Sequence, residues 1–478
     1  MDLTSLIFLL AFLPLSVCLY YVFGRGVRPV IIVFFSLIFY GMGSPKYFFL
    51  LLGMTVITCG MGQFLFMSKA RSVTRHNMDT AILVAGVLLN IFPLLYYKYT
   101  DFVRLNINRA LGTNFELKNY LLPLGISFFT FKSISFLVDV YRGKIARRPN
   151  IWCCMSYLCF FGQIVSGPLS RYDDFENIAE KRCNVEDLYQ GVRRIIYGLG
   201  KKVILADLLS RVANEIFAKG TDELSTALAW LGAIVFSLEL FFDFSGYSDI
   251  AIGISRLFGI SCNENFDYPY MSSTVSEFWR RWHISLGAWF RDYIYIPLGG
   301  SKCTSAVRTY ANLLVVWLLT GIWHGASWNY VIWGMMNFVM IAFERKWNAK
   351  DEMKNFLWRH CYRPIVLLFF MVQWVVFRAN GIKHAAKYLL CMFLPVQNEL
   401  ATARAVFLCK EYVIVIVCAM ALCFPLRKIL LERFEKQNVR MPKALMVCGE
   451  WCLLLLVFCV AISFMIAGIN NPFTYGNF

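Results

Sequence analysis

Two histidines carry the chemistry this sequence has to offer. The first, His324, stands in Trp323-His324-Gly325, inside the 35-residue apolar run Thr309 to Phe343. That run holds a single imidazole and no acid or base before Glu344. A charged side chain at membrane depth costs roughly 2 to 3 kcal/mol on insertion scales, so an ionisable group there is usually kept for a task. Trp323, Trp328, Asn329 and Trp333 surround it in sequence, and Gly321, Gly325 and Gly334 allow backbones to approach closely. A neutral imidazole takes a proton from an attacking hydroxyl near neutral pH. No serine or cysteine stands in a recognisable nucleophile elbow, so general base fits better than membership of a Ser-His-Asp triad. The plainer alternative is a histidine packed between helices and bonded to a backbone carbonyl.

The second is His283, in SEFWRRWHISLG at 276–287, 41 residues before His324. Read as one helix, this stretch puts Trp279, Trp282, His283 and Leu286 on one side, with Glu277, Arg281 and Arg291 on other faces. Arg280 and Arg281 suit phosphate, so the stretch reads as a basic, aromatic-lined mouth for a phosphate-bearing or thioester-carrying donor. An interfacial helix with an aromatic belt and basic anchors fits equally well. A third stretch, FDFSGYSD at 242–249, sets Asp243, Ser245, Tyr247 and Asp249 beside a strongly apolar run. Two acids there are expensive unless paired, and Arg256, Arg280 and Arg291 are the expected partners; orienting a catalytic imidazole is the alternative.

Those residues must be positioned by membrane elements. The 478 residues are 58% hydrophobic and 16% charged, with a mean hydropathy of +0.56. The apolar residues gather in long runs, which makes the chain an all-α polytopic membrane protein. Aqueous segments are short, so no soluble catalytic domain is available. The formal charge of +17 lies in short loops, where Lys and Arg orient spans and meet anionic lipid; nucleic acid is excluded as a partner because no basic domain stands apart. Sixteen cysteines, among them Cys153, Cys154, Cys159, Cys418, Cys423, Cys452 and Cys459, show no CxxC pair and no histidine at metal spacing. They read as buried small fillers, with no metal and no disulfide.

The expected spans begin with Leu3–Phe23, read as retained rather than cleaved, and continue with Pro29–Tyr40, Tyr47–Met67 and Ala81–Tyr97. Tyr120–Val140, which contains Pro123, Gly125 and Lys132, reads as broken or tilted. Leu188–Leu209 carries Arg193, Arg194, Lys201, Lys202 and Asp207, too much charge to face lipid, and belongs at the interface or around a cavity. Residues 247–300 read as interfacial and re-entrant pieces. Arg25 and Arg28 near the start, and Arg427, Lys428, Arg433, Lys436, Arg440 and Lys443 near the end, place both termini outside the cell. Roughly ten to twelve crossings follow. No internal repeat supports an inverted-repeat transporter.

At this point the motifs resemble a known family. LPLGISFFTF at 122–131, GQIVSGPLSRYDDF at 162–175, KKVILADLL at 201–209, FFDFSGYSDIAIGISRLFGI at 241–260, SEFWRRWHISLGAWFRDYIYIPLGGS at 276–301, LTGIWHGASWNYVIWG at 319–334 and VVFRAN at 375–380 are similar, in order, to the membrane-bound O-acyltransferase family. The similarity is to its bacterial branch, with the membrane subunit of alginate O-acetyltransferase. The resemblance implies a bowl of helices around a thinned centre and a tunnel: a single acyltransferase domain with a core at 120–380, peripheral spans at 1–119 and further spans at 381–478. It makes His324 the essential family histidine and His283 its second. Trp279, Arg280, Arg281, Trp282, Arg291, Asp243, Ser245, Tyr247, Trp323 and Asn329 are then expected to line the tunnel or orient the reactants. The resemblance further implies a bacterial inner-membrane location and no permanently bound cofactor, with acetyl-CoA or another acyl thioester as donor. Its implied partner is an extracytoplasmic SGNH-like acetyltransferase of the AlgJ or AlgX kind, which modifies a polysaccharide. The tail at 472–478, PFTYGNF, keeps the branch's aromatic character without matching it closely. A relative of the same fold transfers D-alanine to teichoic acid, and a transporter of an acyl or glycan intermediate is the reading from another class.

Overall fold

The computed structural model describes residues 2–71, 76–180, 184–303, 305–348, 355–394, 399–426, 429, 432–433 and 443–468. Its helices, in order, are α1 (Leu13–Val22), α2 (Arg28–Gly43), α3 (Phe48–Arg71), α4 (His76–Leu111), α5 (Ile126–Tyr141), α6 (Ile151–Cys159), α7 (Asp173–Glu176), α8 (Val185–Leu199) and α9 (Asp207–Ala218). They continue with α10 (Thr226–Leu257), α11 (Val275–Arg281), α12 (Ile284–Phe290), α13 (Ala306–His324), α14 (Trp328–Lys346), α15 (Phe356–Arg378), α16 (Ile382–Phe393), α17 (Ala403–Leu422) and α18 (Lys443–Ile466). Among the described residues the only β pairing is an isolated bridge between Phe266 and Trp282. Arg427, Lys428, Lys436, Arg440 and the tail at 472–478 lie outside the described residues.

Eight helices among the described residues are long and apolar enough to cross a membrane, namely α2, α3, α4, α10, α13, α15, α17 and α18. Other apolar runs form shorter helices, Phe8–Val22, the 16-residue α5 and the nine-residue α6, and the 19-residue α14 is not among the eight candidate spans. At about 1.5 Å per residue, 16 residues extend ~24 Å, short of a hydrocarbon core of about 30 Å. The run at 120–140 is indeed broken. Gly125 has φ +68°, and a Cβ there would collide with the Ile164 carbonyl, so α5 begins only at Ile126.

The chain forms two compact units, one of Met1–Ile195 with Ser248–Glu264, the other of Ile196–Tyr247 with the chain from Asn265. In the first, the Tyr20 hydroxyl donates to the Phe258 carbonyl at 2.8 Å, and Arg194 meets Asp249 at 2.7 Å. Lys132 is buried there too, donating to the Tyr157 carbonyl at 3.1 Å and to Gln163 Oε1 at 2.9 Å. The second unit holds both histidines.

The cysteines divide. Cys153, Cys154, Cys159 and Cys423 are buried as expected, whereas Cys418, Cys452 and Cys459 are exposed. The three exposed ones sit on α17 and α18, whose apolar windows are only 22% and 11% buried. Those spans turn most of their surface outward, where lipid accepts a small apolar side chain as readily as a core does.

Candidate active site: two buried histidines in an aromatic wall

The 35-residue run folds as a helical hairpin. α13 ends at His324, residues 325–327 turn, and α14 starts at Trp328, where the Ser327 side chain accepts from the Asn329 N–H. Glycines let the two helices close on each other. A Cβ at Gly321 would lie 2.5 Å from the Tyr330 carbonyl oxygen, and one at Gly334 would lie 2.5 Å from that of Trp317. In a bilayer such close backbone approach replaces the hydrophobic drive that water gives a soluble core. The turn leaves His324 buried at the end of α13. Its ring stands edge-on to Trp323 at 4.7 Å, Trp333 at 4.8 Å and Phe377 at 5.3 Å. Trp328, expected beside the imidazole, is exposed, and Phe377 of α15 also stands against the ring. Asn329 fixes this wall: its side-chain nitrogen donates to the carbonyls of Val376 at 3.1 Å and Ala379 at 2.7 Å.

His283 is not on a continuous helix. α11 ends at Arg281, and His283, at φ +46° and ψ +52°, starts α12. Few non-glycine residues hold that conformation. The cause is a second segment of chain. The Asp267 N–H donates to the Arg281 carbonyl at 2.9 Å, and the Ile284 N–H to the Asn265 carbonyl at 3.0 Å. Those rungs take backbone groups that a helix would have used itself. His283 is buried, with Phe244 of α10 edge-on at 4.6 Å and Asn265 Oδ1 at 3.2 Å from its Nδ1. Trp323 lies 6.5 Å from the His283 ring and 4.7 Å from that of His324. One indole therefore joins the two imidazoles that the sequence keeps 41 residues apart. His283 lies outside the eight candidate spans, and burial pushes its imidazole down to about 3, which holds it neutral.

The rest of SEFWRRWH divides between support and surface. Thr274 accepts from the Glu277 N–H at 3.0 Å, and the Glu277 carboxylate accepts from the Ser273 N–H at 2.8 Å, so α11 starts on a reciprocal cap. Glu344, at the far end of α14, accepts from the Val275 and Ser276 N–H groups at 2.5 and 2.9 Å and ties α11 to the hairpin. Trp279 donates to Asn337 Oδ1 at 2.8 Å, and Asn337 in turn donates to Gln373 at 2.7 Å. Trp282 is buried against Trp374 at 5.2 Å. Arg281 pairs with Glu277 at 2.8 Å. Arg280 and Arg291 are exposed, and Arg291 meets Asp292 at 2.8 Å. Trp279 thus reaches the His324 wall through Trp333, whereas those two arginines are on the surface of the unit.

The acids also find partners other than those expected. Asp243 meets Lys202 at 2.9 Å, and Asp249 meets Arg194, where Arg256, Arg280 or Arg291 had been foreseen. Lys202 also meets Asp207 at 2.5 Å. A separation of five residues puts side chains on different faces of an α-helix, but Gly200–Ala206 is π-helical, and the wider turn aligns them. Gly246 makes room, since a Cβ there would lie 2.9 Å from the Lys202 backbone nitrogen. Burial works against the charge on Lys202, but Asp243 and Asp207 outweigh it and hold the amine protonated. Ser245 and Tyr247 are buried alongside. α10 reaches His283 through Phe244, the residue between Asp243 and Ser245. Asn265, Asn337 and Glu344 escaped the sequence reading, since lone polar residues in aromatic stretches carry no spacing signal.

Residues 127–382, which contain both imidazoles and every residue of this site, match the model of the membrane-bound O-acyltransferase family. The chain is 37% identical over 401 residues to the probable alginate O-acetylase of Pseudomonas aeruginosa, across 82% of this chain and 75% of that protein. It is 30% identical over 417 residues to the peptidoglycan O-acetyltransferase of Helicobacter pylori, across 80% of this chain and 78% of that one. A shorter match, 31% over 247 residues, relates 48% of this chain to 62% of the teichoic acid D-alanyltransferase of Bacillus subtilis. This multi-pass membrane protein is an acyltransferase that belongs to the membrane-bound O-acyltransferase family, in the branch of the alginate O-acetylases.

Proposed function

We propose that the chain takes an acetyl group from a cytoplasmic thioester, acetyl-CoA, at a bacterial inner membrane and passes it outward. The acetyl group then reaches an extracytoplasmic polysaccharide or cell-envelope glycan through an SGNH-like partner protein. The observation that carries this reading is the pair of buried imidazoles joined by Trp323. In the transfer step the acceptor oxygen bonds the acyl carbon, the carbon–sulfur bond breaks, and the hydroxyl proton leaves by way of an imidazole to the thiolate. Ester and thiol are the products. His324 is the general base, and His283 places a reactant. The rings around His324 keep water away, which strengthens its hydrogen bonds and protects the thioester from hydrolysis. The alginate and peptidoglycan acetylases among the relatives support an acetyl group and a glycan acceptor. The basic loops support the orientation with both termini outside.

The test is transfer from labelled acetyl-CoA by the purified chain in nanodiscs, with the partner added and withheld, for wild type and His324→Ala. Partner-dependent transfer that His324→Ala abolishes is expected. Retained transfer in the variant sinks the role of His324. The match to a D-alanyltransferase favours a second reading, in which label from carrier-bound D-alanine, and not from acetate, reaches the acceptor. A transporter would move its substrate without forming any ester.

A further inference from the structure

Asn265 Oδ1 faces three groups. It lies 3.2 Å from the Ser285 backbone nitrogen, 2.9 Å from Ser285 Oγ and 3.2 Å from His283 Nδ1. A backbone N–H only donates, so the Asn265 atom at that point must be its oxygen. An amide oxygen only accepts, so the His283 nitrogen facing it must carry a proton. A neutral imidazole has one N–H, which leaves the lone pair on Nε2. His283 Nε2 is buried and has no hydrogen-bond partner among the described residues. A buried polar atom left without a partner costs about 1 to 3 kcal/mol. It sits on a residue whose backbone is itself in a strained region.

We infer that Asn265 is a positioning residue: it locks His283 in its Nδ1–H form, so that Nε2 is a permanent hydrogen-bond acceptor for an O–H or N–H group of a reactant. This rests on the acyl-transfer reading and gives its second histidine a polarity. Nε2 accepts and never donates, so it does not bind the thioester carbonyl. Two sources present the right chemistry: a hydroxyl of the acceptor, or an amide N–H of the carrier that bears the thioester. The groups packed on His283 are Asn265, Phe244 and Trp323, none of them charged. Arg281, two residues away, is occupied by Glu277 and Asp267. The imidazole therefore stays neutral, and the acceptor is present across the working pH range.

The experiment measures KM for donor and acceptor separately, from pH 5 to 8, in wild type, Asn265→Asp and Asn265→Ala, with thermal melting of each protein as the folding control. Asn265→Asp keeps an oxygen opposite Nδ1 but adds a negative charge, which in this buried site raises the imidazole by up to about three units, from about 3 into the measured pH range. Protonated Nε2 cannot accept, so KM in this variant rises as pH falls, while wild type stays flat. Asn265→Ala frees the ring, and KM rises about tenfold with kcat changed less, the worth of one hydrogen bond. A rise confined to the acceptor's KM identifies its hydroxyl as the bound group, and a rise confined to the donor's identifies the amide. Wild-type KM and pH dependence in the folded Asp variant, or a wild-type KM in the Ala variant, overturn the inference. Absence of transfer in wild type is a different result and overturns the acyl-transfer reading instead.

Discussion

Two regions flank α10 in the second unit and treat polarity in opposite ways. Toward Gly200–Ala206 the helix presents Asp243 and Gly246, and a lysine and two aspartates are shut together there. Toward α12 it presents Phe244, and a neutral histidine meets aromatic rings and an amide. The first arrangement holds full charges of opposite sign against one another. The second keeps charge out and leaves a ring nitrogen unsatisfied. The difference divides the helix: the ionic cluster fixes where α10 and the π-helical turn meet, and the uncharged side borders the candidate site.

That division is open to direct attack. The largest expected effect is on chemistry alone. His324→Ala lowers acyl transfer by at least about 100-fold with the protein level unchanged, as radiolabel transfer and expression in the same membranes will show. Next is Lys202→Met, which strands two buried carboxylates and costs about 3 to 5 kcal/mol of stability, read as early melting in detergent. If Lys202→Met melts normally but is inactive, the ionic cluster belongs to the reaction and the comparison fails. Gly321→Ala pushes a methyl group against the Tyr330 carbonyl and costs about 1 to 3 kcal/mol; transfer by the folded fraction should fall as well, because the hairpin sets the place of His324. Trp279→Phe keeps an aromatic ring but loses the bond to Asn337, worth about 0.5 to 1.5 kcal/mol by the same melting assay. Arg291→Ala, at an exposed position, should move stability by less than about 0.5 kcal/mol. A larger shift would mean that its pairing with Asp292 braces the start of the π-helical turn at Arg291–Tyr295.

The hairpin was legible in the sequence because its signals are local. An apolar run longer than one span, with glycines at 321, 325 and 334, predicts a return and close packing, and both occur. Burial of His324 followed from the same run. The break at His283 was not legible. SEFWRRWHISLG has helical periodicity throughout, and the helix is interrupted only because residues 265–267 pair with 281–284. Nor was the partner of Asp243 legible, since Lys202 and Asp207 line up only in a π-helical turn.

The amino-acid sequence alone determined that this is an all-α membrane protein and which two imidazoles to watch. These follow from composition, run length and spacing along one chain. Only the tertiary structure decided that Trp323 joins the two rings, that Phe377 adds to the wall, and that Asn265 faces Nδ1 of His283. Each of those depends on the distance between segments far apart in sequence, and a hydrogen bond has a direction that no periodicity encodes.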